Sequence, residues 1–301
     1  MNQLSPVPVS SGLRHRLVED MTVRGFSDMT RKYYVRIVSG FGAFLGRSPA
    51  TATAEDVRRF QVHQSGREMG APAMNCTVAA LRFFTYTLDR PDLARKLIRI
   101  PYPRKLPTVL APDEVARLLA ATTCLKHRAA LSIAYGAGLR VAEVASLKVG
   151  DIDSKRMLIR VERGKGGRCR HALLSADLLA LLRAWWQEGK RAGVMLQAGW
   201  LFPGQDLAKP ITTRQLGRVV AAAAEAAGLT KHVSPHTLRH SFATHLLEDG
   251  VDIRVIQVLL GHAKLDNTVL YTRVATRVVH TVTSPLDKIT AQIGDGASPG
   301  G

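Results

Sequence analysis

The chain has 301 residues, 46% of them apolar, and 42 Lys+Arg against 24 Asp+Glu for a formal charge of +18. That apolar share excludes wholesale disorder, and the length suits two domains of ordinary size, each with a core. The positive excess predicts a polyanionic partner. The basic residues are spread along the chain and no run approaches ~20 uninterrupted apolar residues, so a membrane partner is not expected.

In chain order, residues 1–12 are polar and rich in Pro and Ser; they are expected to be flexible and lack the apolar stretch of a secretory leader. Residues 13–99 read as a helical domain. Ser27-Asp28-Met29-Thr30 offers an N-cap before Tyr33, Tyr34, Ile37, Phe41 and Phe44, apolar at helical spacing. Thr53 opens a second helix carrying Val57, Phe60 and Val62, and a third from about Ala73 holds Val78, Leu81, Phe84 and Leu88. Residues 100–108 contain Pro101, Pro103 and Pro107, which forbid a helix and predict extended chain. Arg104 and Lys105 in this linker are candidates for contact with a phosphate backbone, a plain spacer being the other reading. Residues 109–287 read as a mostly helical second domain with one β-hairpin, 157–162 against 170–174, turned by Gly164-Lys165-Gly166-Gly167. Helices are expected from Pro112, over 176–191, over 212–227 and from Pro235, and residues 288–301 form a flexible Gly/Ser/Pro tail. The fold class is therefore mainly α, in two domains, with a small sheet in the second. Cys76, Cys124 and Cys169, an odd number without metal-ligand spacing, fit a reducing cytoplasm.

Several segments carry chemistry. Gly138-Leu139-Arg140-Val141-Ala142-Glu143 is a glycine-led turn projecting Arg140 from a helix start, with Glu143 one turn on. Pro235-His236-Thr237-Leu238-Arg239-His240 places two imidazoles and a guanidinium in the first turns of a helix. Offsets of three and four put them on one face, either as a polar surface stripe or as an anion site. Nearby cations are expected to depress both histidines. Gly261 suits a left-handed helix cap before His262, Lys165 sits at a glycine-flanked hairpin tip, and Tyr271 lies in Asn267-Thr268-Val269-Leu270-Tyr271-Thr272. Metal-free cleavage of a phosphodiester needs a nucleophile, cations for the charge growing on the phosphate oxygens, and an acid for the departing oxygen. All three are represented. No P-loop and no two-metal carboxylate cluster stands out, so no cofactor and no metal are called for.

In this order Arg140, Lys165, His236, Arg239, His240, His262 and Tyr271 resemble the tyrosine recombinases, or phage-integrase family, over nearly the whole chain. The resemblance implies an N-terminal helical (SAM-like) core-binding domain and a C-terminal α+β catalytic domain. It implies that Arg140 and Arg239 clamp the scissile phosphate and that Tyr271 forms a 3′-phosphotyrosyl link. Lys165 would be the general acid, His240 would assist proton transfer, His236 and His262 would hydrogen-bond the phosphate, and Glu143 would support Arg140. The implied partners are a specific double-stranded DNA site, three further protomers in a synaptic tetramer, and partner recombinases or accessory proteins. Integration or transposition of a mobile element is the first expectation. Xer-like resolution of chromosome or plasmid dimers is the second, because the residues after Tyr271 depart from the Xer pattern. A catalytically inactive sequence-specific DNA-binding protein is the alternative of another class.

Overall fold

A computed structural model of the chain describes residues 11–67, 69–102, 106–162, 169–196 and 198–261. The chain divides into two compact units, Met1–Arg104 and Lys105–Gly301.

Among the described residues the first unit holds four α-helices: α1 (Ser11–Val23), α2 (Asp28–Leu45), α3 (Ala54–Ser65) and α4 (Ala71–Thr87). Helix α1 was not foreseen as a separate element, and it takes in Ser11 and Gly12, which composition alone assigns to the flexible N-terminus. Its apolar contribution is sparse: only Leu17 and Met21 are buried, against Val38 and Phe84. The starts of α2 and α3 follow the expected capping chemistry. Ser27 Oγ accepts from the Thr30 N–H, while Thr53 and Asp56 form a reciprocal capping box. The main core of this unit gathers Phe41, Val57, Phe60, Val78, Leu81, Leu93 and Leu97. Ile100, the first residue of the expected spacer, is pinned to the unit: its N–H donates to Asn75 Oδ1 at 2.9 Å and its carbonyl accepts from Asn75 Nδ2 at 2.8 Å. A primary amide pairs with an extended peptide on both sides, which is why asparagine serves here.

The second unit holds α5 (Pro112–Ala120), α6 (Leu125–Gly136), α7 (Val141–Ala145), α8 (Ala176–Arg191), α9 (Thr213–Ala226), α10 (Pro235–Glu248) and α11 (Ile253–Leu260). The small sheet has three antiparallel strands in chain order: β1 (Ile152–Asp153), β2 (Leu158–Val161) and β3 (Arg170–Leu173). The expected hairpin is the β2–β3 pair, with Ile159 opposite Ala172 and Arg160 opposite His171. The two-residue β1 is too short to show a period in the sequence. Helix α6 is central, packing against α5, α7, α8, α9 and α10. Around it the core collects Leu118, Leu131, Ile133, Leu139, Ile159, Phe202, Leu216 and Leu238. Among the described residues no helix is long and apolar enough to cross a membrane.

The chain enters this unit along α10. The Leu110 N–H donates to Ser241 Oγ at 2.9 Å, and the Leu110 carbonyl accepts from His245 Nε2 at 2.9 Å. A carbonyl can only accept, so Nε2 carries a hydrogen; in the neutral ring, Nδ1 then accepts from the Tyr135 hydroxyl at 2.9 Å. Residues of α6 and α10 thereby hold the chain just ahead of α5.

Candidate active site

Three arginines from three distant parts of the sequence meet at one helix end. A helix leaves its last carbonyls without intrahelical partners and carries partial negative charge there. At the end of α11 three successive carbonyls accept from three guanidinium groups. Leu259 takes Arg170 Nη1 at 2.7 Å, Leu260 takes Arg239 Nη2 at 2.6 Å, and Gly261 takes Arg140 Nη2 at 3.4 Å. Gly261 is the αL cap of α11, with φ of 61°, as its place after Leu260 predicts.

Glu143 lies inside this ring, 5% exposed. Its carboxylate receives the Arg140 backbone N–H and Arg140 Nη1, each at 2.8 Å, and Arg170 Nη2 at 2.7 Å, with Arg239 Nη1 at 3.8 Å. The backbone contact makes Glu143 the return half of a cap on α7, whose N-cap is Arg140. Burial alone pushes the Glu143 carboxyl up. The Arg140 N–H and the Arg170 and Arg140 guanidinium groups outweigh it and hold the carboxyl below the usual carboxylate range. Like-charged guanidinium groups would otherwise repel one another at this range. One buried carboxylate and three carbonyl dipoles offset that repulsion.

The α10 residues are graded in depth rather than presented together. His236 is exposed, His240 is half-buried, and Arg239 is 3% exposed. Most of α10 is enclosed, with Thr237, Leu238, Ser241, Phe242, Ala243 and Thr244 also buried, so the surface-stripe alternative does not hold for Arg239. Arg239 Nη1 also donates to the Gly138 carbonyl. That carbonyl is aimed by a glycine whose replacement would be strained: Gly138 has φ of 60°, and a Cβ there would meet the Phe242 ring. His240 is pushed down to about 4, first by burial and then by His236 and Arg239. His236 is lowered by partial desolvation of its ring, then by Arg239 and Arg140. The expected depression is present, but burial ranks ahead of the neighbouring cations as its cause.

Arg140, Glu143, Arg239, His236 and His240 are thus brought to one place. Lys165, His262, Tyr271, Arg104 and Lys105 lie outside the described residues, as do residues 288–301, expected to form the tail, and residues 1–10 of the N-terminal segment. Arg170 was not foreseen. Its signal is a charged residue on the inward phase of a strand, in step with buried Ala172 and Leu174. Among the described residues no group of three or more His, Cys, Asp or Glu is placed to hold a metal ion. Cys76, Cys124 and Cys169 are exposed free thiols.

Residues 108–277 match the model of the phage integrase family, and residues 13–92 match that of the phage integrase N-terminal SAM-like domain. The chain is 43% identical over 282 residues to "Putative integrase/recombinase y4qK" of Sinorhizobium fredii, covering 93% of this chain and 90% of that one. It is 34% identical over 269 residues to tyrosine recombinase XerA of Pyrococcus horikoshii, covering 89% and 91%. Its fold is similar to that of the XerH site-specific recombinase in a pre-cleavage complex with its difH substrate. The TM-score is 0.67 at 23% identity, over 86% of this chain and 81% of that one.

Proposed function

Because this chain belongs to the phage integrase family of tyrosine recombinases, we propose that it cuts and rejoins DNA at a specific site through a covalent link to Tyr271. The observation that carries the chemistry is the convergence of Arg140 and Arg239, 99 positions apart in sequence, on the end of one helix beside a shared carboxylate. Both are oriented before any phosphate arrives, so little reorganisation is needed as charge grows on the non-bridging oxygens. Guanidinium suits the task because it keeps its proton and offers a planar fork of donors.

In this reading Tyr271 attacks phosphorus and leaves a 3′-phosphotyrosyl bond with a free 5′-hydroxyl. Lys165 protonates the departing oxygen, His236 and His262 hydrogen-bond the phosphate, and His240 assists proton transfer. The bond energy is kept in the phosphotyrosine, so the 5′-hydroxyl of a partner strand can reverse the step without ATP. Four protomers would act on two duplexes in the cytoplasm, with Arg104 and Lys105 along the phosphate backbone and with partner recombinases or accessory proteins at the synapse. We favour integration or transposition of a mobile element, since the y4qK relative carries an integrase/recombinase name and the residues after Tyr271 depart from the Xer pattern. The XerA likeness supports dimer resolution as the second reading.

The test is a nicked suicide duplex, taken from a randomised pool by selection for binding to this protein. The expected result is a covalent protein–DNA adduct with the wild type and none with Tyr271→Phe. An adduct that persists in Tyr271→Phe, or none with either protein, overturns the assignment.

A further inference from the structure

We infer that Arg170 is a positioning residue for this reaction: it holds the Glu143 carboxylate, and through it the Arg140 guanidinium, against the end of α11. This rests on the recombinase reading above. Arg170 starts β3, and its side chain is only 12% exposed. One Nη donates to the Leu259 carbonyl at 2.7 Å and the other to Glu143 Oε2 at 2.7 Å. The same Glu143 oxygen accepts the Arg140 backbone N–H, while the second oxygen takes Arg140 Nη1. Arg170 therefore fixes a carboxylate whose every other named contact is with Arg140 or Arg239.

The stem of Arg170 is held as tightly as its head. It lies across Gly261, where a Cβ would come within 2.6 Å of Arg170 Cδ and 2.7 Å of Nε, so the bare backbone of the α11 cap is what lets the side chain pass. Its Nε is buried with no hydrogen-bond partner among the described residues. Leaving a guanidinium donor unsatisfied costs free energy, and burial pulls Arg170 below the ordinary guanidinium range against the opposing pull of Glu143. The two Nη contacts, to the Leu259 carbonyl and the Glu143 carboxylate, are what offset this cost. A planar fork that reaches a carboxylate on one side and a carbonyl on the other is a geometry that lysine, with one ammonium, does not reproduce.

The experiment measures single-turnover formation of the Tyr271–DNA adduct at saturating selected duplex, with rate constant and endpoint read separately. Arg170→Lys is expected to slow the rate constant by about tenfold or more, as a slight misplacement of a reacting group does, with endpoint and DNA affinity within about threefold of wild type. A defect in folding alone lowers the endpoint and leaves the rate constant of the competent fraction unchanged; an unchanged rate constant overturns the inference. Should Arg170→Lys fail to melt cooperatively, Glu143→Gln/Arg170→Gln removes the buried carboxylate charge together with its partner. A rate equal to that of Glu143→Gln alone supports action through Glu143, and a multiplied loss overturns it. Absence of an adduct with the wild type would count against the recombinase reading itself, whereas equal rates for wild type and Arg170→Lys would remove only the role of Arg170.

Discussion

The two units use the same residue type in opposite ways. In the first unit arginines stay near the surface and meet local carboxylates, as in Arg58–Glu55 and Arg90–Asp92, or lie over rings, as Arg24 does over Tyr86 at 4.0 Å. In the second unit Arg239 and Arg170 are drawn inside and share Glu143 and the end of α11 with Arg140. Exposed pairs gain little because water screens them and long side chains must be ordered. A buried set gains orientation, at a desolvation cost that must be offset by complete hydrogen bonding. The difference teaches where stability and chemistry are concentrated: removal of one charge should matter at the end of α11 and scarcely at all on α3.

The largest effect is expected at Arg239. Arg239→Lys keeps the charge but cannot span the Gly138 and Leu260 carbonyls with two nitrogens of a rigid plane. Adduct formation should fall by roughly 10² to 10³, the range for losing one preorganised donor to a developing oxyanion. DNA binding by gel shift should change far less. A cleavage rate within a few-fold of wild type would show that Arg239 serves the fold alone.

Glu143→Ala comes next, and here stability is the readout. It leaves three guanidinium groups around an empty place and removes the return contact to the start of α7. Breaking a buried charge set from one side costs about 3–5 kcal/mol, to be measured by urea unfolding. Below that stands Gly138→Ala. A methyl group must displace the Phe242 ring, and the residue must hold φ of 60°, so about 1–3 kcal/mol is expected, with the Gly138 carbonyl turned from Arg239.

How legible these two regions were follows from the physics of each. The first unit is a stack of amphipathic helices, and the stripe Ile37, Phe41 and Phe44 with the caps Ser27 and Thr53 reveals α2 and α3 directly. Helix α1 escaped because it buries only Leu17 and Met21. In the second unit the αL cap at Gly261 and the β2–β3 hairpin were readable from local rules. The depth of Arg239 was not, since helical offsets give the face a residue occupies and not what covers that face. Arg170 is further still from local rules: its partners Glu143 and Leu259 are 27 and 89 positions away.

The histidines give a smaller effect whose sign separates them from ordinary surface imidazoles. His240 is held at about 4 in the folded chain, against an ordinary value near 6.5. Above pH ~6.5 neither the folded nor the unfolded state holds its proton, so stability does not depend on this group there. Between about 6.5 and 4 the unfolded chain binds the proton and the folded one does not, so stability falls as the pH is lowered. The slope is at most about 1.4 kcal/mol per pH unit, and less because the ring is partly exposed. His240→Asn should flatten urea unfolding free energies across that window. An unchanged slope would show that the acid sensitivity lies elsewhere.

The smallest effect is expected in the first unit, and it sets the baseline for all the others. Glu55 pairs with Arg58 and with Lys96, each at 2.7 Å, and both contacts hold its carboxyl below the usual range. All three side chains remain in water. Glu55→Ala should therefore leave the melting temperature unchanged at physiological salt, although it breaks two ion pairs of good length, because solvent replaces both contacts and salt screens what remains. A loss comparable to that of Glu143→Ala would mean that the number of ion pairs, rather than their enclosure, sets the stability of this chain.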